Sequence, residues 1–396
     1  MKEYIKLFDG LNAANGYEIN DIPFTSTIRS ASGESDINLV CNKPDASILI
    51  EDGKPRILTE VTITGTWNPS VSDKNTKVII SGNVDLCGKT DCYSIEFATG
   101  GHLTINGGAK LRVWEGGVIN SSSVNDLTIQ ANSAANSYGD FLLHPSIASN
   151  RNPYGIVQFT TYAHQISATP DYKWERLVSP LAEVSAIAYS SSSIVGTYGG
   201  AFTGSICEWD YANNSWSSPL SNITRVTTFK GYILTNNATN EGVRYNFKGR
   251  ILCSNSVDLV FPTQGYVYFG NSFSSAIKTA ALFELTTQNG LGLYLWDRNI
   301  NQYVEITSSS INDYPYIQKM ETFVLDTSQS SQSSITLSYA DLVWNPSFEK
   351  ESTPTRSLAK GAAPKSEPSD MPAIKEPNID GAEFTSIMAE ENIPTR

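Results

Sequence analysis

The chain has little of what most catalysis requires. Its only three histidines, His102, His144 and His164, lie on separate segments, and no His-x-x-x-His or Cys-x-x-Cys spacing occurs, which argues against a zinc centre. Gly-x-Ser-x-Gly is missing, and no Ser-His-Asp arrangement can be named. No metal or cofactor is expected. Charged residues make up 17% of the chain, the net charge is −12, and Lys and Arg form no cluster. A nucleic-acid partner is therefore not expected, nor docking on an anionic membrane by charge. No run of 18 apolar residues exists, so no helical membrane span is expected. The stretch 1–10 has no apolar core of signal-peptide length. No segment sustains a 3.6-residue apolar period over three turns, which speaks against long amphipathic helices. Five cysteines are too few for a disulfide scaffold in 396 residues.

What is present is repetition. Residues 206–216 and 293–303 each hold a Trp-Asp pair (Trp209-Asp210 and Trp296-Asp297), then a polar turn, then an aromatic seven positions after the Trp (Trp216 and Tyr303). This pattern predicts a β-hairpin with one aromatic on each arm. Asn213, Asn214, Asn299 and Asn301 supply the turn chemistry. The flanks repeat too. Lys230-Gly231-Tyr232-Ile233-Leu234 follows the first hairpin and Thr322-Phe323-Val324-Leu325 the second, giving a tandem unit of about 87–91 residues. Tyr232 should then correspond to Phe323, as Trp209 does to Trp296. Each copy, 171–258 and 259–346, reads as a compact antiparallel β-sandwich or barrel.

A looser repeat precedes it over 57–170. Triplets of β-formers recur at Val61-Thr62-Ile63, Val78-Ile79-Ile80, Ile95-Glu96-Phe97, Leu103-Thr104-Ile105, Leu111-Arg112-Val113, Leu127-Thr128-Ile129 and Phe141-Leu142-Leu143, with Gly, Asn and Ser between them. Short strands with tight corners at quasi-regular spacing predict a β-solenoid; a sandwich of short hairpins is the alternative. Residues 1–56 read as a β lead-in or part of an Ig-like domain, with strands at 37–40 and 47–50 around a turn at 42–45. From 347 to 396, Pro, Ser, Lys and Glu dominate, and a disordered tail or linker is expected. The fold class is therefore all-β: a solenoid-like rung array, two tandem sandwiches and a tail.

The order of residues 85–145, the run Trp174-Glu175-Arg176-Leu177-Val178-Ser179-Pro180-Leu181, the Trp-Asp hairpin and residues 266–277 together resemble large surface and secreted proteins of Bacteroidota. Many of these are adhesin-like substrates of the type IX secretion route. In that pattern the second module opens "G-x-x-x-x-G-N-P", and Ser272 stands here in place of the Pro. The resemblance spans roughly residues 60–345. It implies an extracellular or cell-surface protein without catalytic activity, serving display, adhesion or structural projection. The alternatives are a virion structural protein (a fibre or capsid decoration of a Bacteroidota phage) and an ancillary region of a larger secreted hydrolase.

Individual residues carry competing readings. Asp85, Asp91, Glu96 and Glu115 could be acidic groups on one solenoid face, though a solvated surface explains them better. Asp210 and Asp297 read as turn caps rather than calcium ligands. Trp209, Trp216, Trp296 and Tyr303 could stack on sugars if exposed, or pack across strands if buried. A glycan or a protein surface is the expected partner. Cys87 and Cys92 are a local pair for which a bridge is sterically plausible, while two free thiols fit as well. Cys41, Cys207 and Cys253 read as buried small apolar residues.

Overall fold

The structure is a computed structural model. It describes residues 24–31, 34–41, 46–51, 54–119, 123, 126–147, 152–166, 172–182, 204–211, 215–217, 226–236, 238–253, 256–261 and 265–345. The expected tail at 347–396 lies outside the described residues. Among the described residues, strands account for 54% and helices for 9%, so the all-β class holds.

Strands β1 (Phe24–Ala31) and β2 (Glu34–Cys41) form a separate antiparallel hairpin, and β3 (Ala46–Glu51) pairs antiparallel with the first part of β4 (Lys54–Trp67). From there the chain winds into a β-solenoid of about three turns. The coils contain β5 (Thr76–Leu86), β6 (Lys89–Phe97), β7 (His102–Ile105), β8 (Lys110–Ile119), β9 (Leu127–Asn132), with β10 (Ser137–Tyr138) folded back on it, and β11 (Asp140–Leu143). Parallel pairing sorts them onto three faces. The first stacks residues 59–63, 76–80, 94–97 and 117–119. The second stacks 65–67, 83–86, β7 and β9, and ends on β12 (Tyr154–Thr160). The third stacks 89–92, 110–113 and β11. The chain turns between faces where a side chain would be strained. The register of β4 against β5 shifts between Ile63 and Gly65, and Gly65 and Gly82 have φ of +73° and +68°, a region where only glycine is unstrained.

The solenoid interior is apolar because every second residue of each rung points inward. Ile80, Leu86, Ile105, Leu111, Ile129 and Phe141 are all fully buried in one cluster. Each such side chain contributes on the order of 1.5–3 kcal/mol of burial energy. Outside, Asp91 and Arg112 sit side by side on neighbouring rungs and form a bidentate pair at 2.5 and 2.8 Å. Asp85 and Glu96 stand on the other two faces, and Glu115 lies in β8 beyond the third-face segment 110–113. The four carboxylates thus share no site.

The bridge between Cys87 and Cys92 does not form: both are free thiols. Cys92 is an inward residue of the third face with no exposure, and burial pushes its thiol well above the ordinary value. Cys87 sits at the exposed corner before it and accepts a hydrogen bond from Asn106 Nδ2 at 3.1 Å. One sulfur points into the coil and the other out of it. Cys207 and Cys253 are buried as expected; the side chain of Cys41 lies outside the described residues.

After the short pair β13 (His164–Gln165) and β14 (Tyr172–Lys173), the duplicated module appears as two sheets of the same order. In module 1, β15 (Glu175–Leu177), β16 (Gly204–Asp210), β17 (Ser215–Trp216) and β18 (Tyr232–Asn236) align as β15-β18-β16-β17. Strand β19 (Arg244–Arg250) then pairs antiparallel with β12. Module 2 begins with β20 (Val257–Val260) and β21 (Tyr266–Gly270). The short β22 (Ile277–Lys278) leads into helix α1 (Thr279–Gln288), followed by β23 (Gly292–Asp297) and β24 (Gln302–Glu305). The pair strand β25 (Tyr316–Ile317), β26 (Thr322–Asp326) and β27 (Ser334–Leu337) complete it. Its sheet order is β21-β26-β23-β24, and β20 pairs with β27 as β12 does with β19.

The registers match copy to copy. Tyr232 faces Leu177 and Glu208, and Phe323 faces Phe269 and Leu295. Trp209 pairs with Trp216, and Trp296 with Tyr303. Each module is thus a four-stranded sheet packed on a two-stranded ribbon. In module 1 the ribbon includes β12, which is also the last strand of the solenoid's second face. Leu177, Ile206, Tyr232 and Leu234 accordingly share one core with the solenoid interior. Module 2 packs Val267, Phe269, Leu293 and Phe323 against Leu259, Ile335 and Leu337 of its own ribbon.

The outer faces of the two sheets meet each other through Ile233, Val324 and a group of aromatic rings. Two reciprocal backbone bonds fasten this interface. Val178 N donates to Met320 O at 3.2 Å, and Gly270 N donates to Phe229 O at 3.0 Å. Phe229 and Met320 occupy equivalent places before β18 and β26, and both are left-handed, with φ of 61° and 66°. Bulky residues seldom adopt that conformation, so its occurrence at both places marks the interface as what holds it.

Candidate binding cleft

The aromatic residues of the Trp-Asp hairpins serve the interface between the modules. Trp209 and Trp216 stack edge to face at 5.2 Å, and Trp296 and Tyr303 do the same at 5.0 Å. Such pairs add on the order of 1 kcal/mol beyond burial. Each ring pair is covered by the equivalent residue of the other module. Tyr268 of β21 lies 4.4 Å from the Trp209 ring and 4.9 Å from Trp216. Its counterpart in β15 is Arg176, whose guanidinium lies over the Trp296 ring and whose Nε donates to Tyr303 Oη at 3.2 Å.

Few of the residues named as binding candidates are exposed. Trp209, Trp216 and Tyr303 are buried, and the indole N–H groups of Trp209 and Trp216 find no acceptor among the described residues. Asp297 is buried as a turn cap: it accepts from Asn299 N at 2.7 Å and from Tyr314 Oη at 2.6 Å. Asn299 and Asn301 are exposed in the turn, with Asn301 left-handed at φ 54°. Asp210 is half-buried, and Asn213 and Asn214 lie outside the described residues. Trp296 alone among the four rings is half-buried.

Trp296 opens onto a cleft where three parts of the fold meet. Tyr162 comes from the chain just past β12, Glu175 and Arg176 from β15, Trp296 and Arg298 from the second hairpin, and Glu321 from the turn before β26. Ser133, at the end of β9, organises it. Its hydroxyl donates to Glu175 Oε2 at 2.5 Å, while its carbonyl accepts from Arg298 Nη1 at 2.5 Å. Thr161 Oγ1 and Tyr162 N also donate to Glu175 Oε2, at 3.0 and 3.2 Å. Arg298 lies over the Tyr162 ring at 4.2 Å.

Burial dominates the electrostatics of Glu175. Loss of water raises its carboxyl to about 7, against the opposing pull of Arg298 and three hydrogen bonds. For Arg298 the balance runs the other way: Glu175 first, and Tyr162, Tyr138 and Glu321 after it, outweigh desolvation and hold the guanidinium above its ordinary value. The lining carries two carboxyl groups and two guanidinium groups. Above pH 7, where Glu175 is ionised, the four charges cancel, and in that state the lining suits a neutral, hydroxyl-rich ligand better than an ion.

Sequence reasoning found Trp296 through the repeat but missed Tyr162, Glu175, Arg176, Arg298 and Glu321. Arg298 stands next to the Trp-Asp pair, and Glu175-Arg176 directly follows Trp174. Only the fold shows that these segments converge. Among the described residues no group of three or more His, Cys, Asp or Glu could hold a metal ion, and no helix is long and apolar enough to cross a membrane. No known family, no curated protein and no solved structure matches the chain.

Proposed function

We propose that this chain is a non-enzymatic extracellular display protein that binds a neutral glycan through the cleft at the second Trp-Asp hairpin. The observation that carries this reading is Trp296. It is the one half-buried ring of the four and lines the cleft with two carboxyl and two guanidinium groups, and the exposed Asn299 and Asn301 follow it in the same hairpin turn. An aromatic face next to hydroxyl-satisfying groups is the chemistry that covers the apolar side of a sugar. The fusion of the solenoid to module 1 through a shared strand supports a projecting role, because it carries the modules on a stacked base.

The test is a glycan array with the full chain, Trp296→Ala and Trp209→Phe, each variant first shown to be folded by its melting curve. Binding by the wild type and Trp209→Phe but not by Trp296→Ala is expected. Equal binding by Trp296→Ala would remove the cleft, and an array without hits would remove the glycan. Steady cleavage of polysaccharides or peptides would overturn the non-enzymatic reading. A genomic neighbourhood of capsid and tail genes would transfer the display role to a virion.

A further inference from the structure

The duplication leaves one strand short of a neighbour. In module 1, β12 is paired on both edges, antiparallel with β19 and parallel with β9 of the solenoid. Its counterpart in module 2 is β20. The equivalence extends past the strands: Thr161 N donates to Val243 O at 2.9 Å after β12, and Phe261 N donates to Ser333 O at 2.9 Å after β20. Yet β20 pairs with β27 alone among the described residues. The open strand also carries an exposed apolar side chain. Val260 is 72% exposed, more than any other large hydrophobic among the described residues, whereas its counterpart Thr160 is half-buried. Asp258, the one charge on the strand, is drawn toward β27: its Oδ1 accepts from Thr336 Oγ1 at 2.6 Å.

The solenoid has the complementary gap. Its second face is capped by β12. Its third is capped by the loop at 271–275, where Phe141 N donates to Ser274 O at 3.3 Å and Ser274 Oγ donates to Phe141 O. The first face ends at Gly117-Val118-Ile119, which pairs with 94–96 below it, and no strand among the described residues pairs above it. Ile119 is 42% exposed. An unpaired strand edge beside an exposed apolar side chain is a place where a further strand adds. The two edges have the right polarity for each other. The free edge of β20 is the one that in β12 meets the upper edge of β9, and 117–119 offers an upper edge.

We propose that copies of this chain join head to tail, β20 of one copy adding as a parallel strand to residues 117–119 of the next. The pairing of β9 with β12 sets the register. There inward residues lie beside inward ones, as Ile129 does beside Val157. Val118, beside the buried Ile95, is the inward residue of its rung, and the buried Leu259 is that of β20. Setting Leu259 beside Val118 places Val260 beside Ile119, so the two exposed apolar side chains remove each other from water. Asp258 then falls beside Gly117, which has no side chain to oppose it. The contact uses a different surface on each copy, so it repeats into a filament or closes into a ring. It is a small contact, and a weak, reversible association is expected.

The experiment is sedimentation velocity on the full chain over a wide range of concentration. The expected result is an average mass that rises with concentration above that of the monomer. Val260→Lys and Ile119→Lys each change an exposed side chain. Both should keep the wild-type melting temperature and stay monomeric at every concentration. An equimolar mixture of the two should form a one-to-one dimer and nothing larger, because the first variant retains only the 117–119 edge and the second only the β20 edge. A wild-type chain that is monomeric throughout overturns the proposal, and so does a mixture that stays monomeric. Self-association by Ile119→Lys alone would replace it with a symmetric pairing of β20 with β20. Self-association by Val260→Lys alone would remove β20 from the contact.

Discussion

Glu175-Arg176 in module 1 and Val267-Tyr268 in module 2 occupy the same place in the two copies, as the pairings with Leu234 and Leu325 show. Both dipeptides do the same mechanical job. The second residue of each covers the hairpin rings of the opposite module, and the first points toward its own module's second layer. The chemistry differs. Module 2 uses an apolar residue and an aromatic ring, and the surface over Trp209 and Trp216 is sealed. Module 1 uses a carboxyl and a guanidinium, and the surface over Trp296 stays a cleft. A duplicated interface can thus keep its geometry while one half becomes polar. The polar half is the one that retains access to solvent.

Breaking this comparison should cost most on the sealed side. Trp209→Ala is expected to destabilise the chain by about 3–5 kcal/mol, the range for a large core aromatic. Trp296→Ala should cost only roughly 1–2 kcal/mol, because less of the ring leaves water on folding. Urea denaturation of the two variants measures the difference directly, and equal losses would mean that the two halves are energetically alike.

The next effect is a pH slope that belongs to module 1 alone. An unfolded glutamate ionises near 4.5, whereas Glu175 in the fold does so at about 7. Between these values the folded state holds the proton more tightly. Stability from this group is therefore full below pH 4.5, falls as pH rises toward 7, and stays reduced above it. The loss amounts to about 3 kcal/mol. Glu175→Gln should flatten that part of the stability profile, and an unchanged slope would place the titration elsewhere.

A smaller effect concerns the residue that departs from the resemblance. Ser272 is the counterpart of Pro180. Its hydroxyl donates to Ser179 O at 2.5 Å and accepts from Phe229 N at 2.7 Å, both in module 1. Ser272→Ala leaves two buried backbone groups unsatisfied and should cost about 2 kcal/mol. A chemical denaturation series would show it as a midpoint shift at constant slope.

How much of this was legible depended on whether a position announces its role by residue type. The seven β triplets all fall on rungs: Val61, Val78 and Ile95 on the first face, Leu103 and Leu127 on the second, Leu111 and Phe141 on the third. The rungs at 65–67, 83–86 and 89–92 escaped notice. Gly, Asp, Asn and Lys alternate there with single inward residues such as Trp67, Val84 and Cys92, so no run of β-formers marks them. The duplication was visible because Trp-Asp is rare and kept in both copies. The exchange of Arg176 and Tyr268 was not, since equivalent residues of unlike chemistry leave no repeat signal. Likewise, nothing in the composition of 154–160 says that this strand belongs to two structures at once.

That shared strand makes reach adjustable. Because β12 is both a rung and a module strand, the modules are carried by the solenoid without a linker between them. Adding or removing one coil upstream would move both modules by a single strand spacing, about 4.8 Å, and turn them by one increment of coil twist, with every contact inside the modules unchanged. Length along the stack can therefore vary in discrete steps without touching the surface that is displayed.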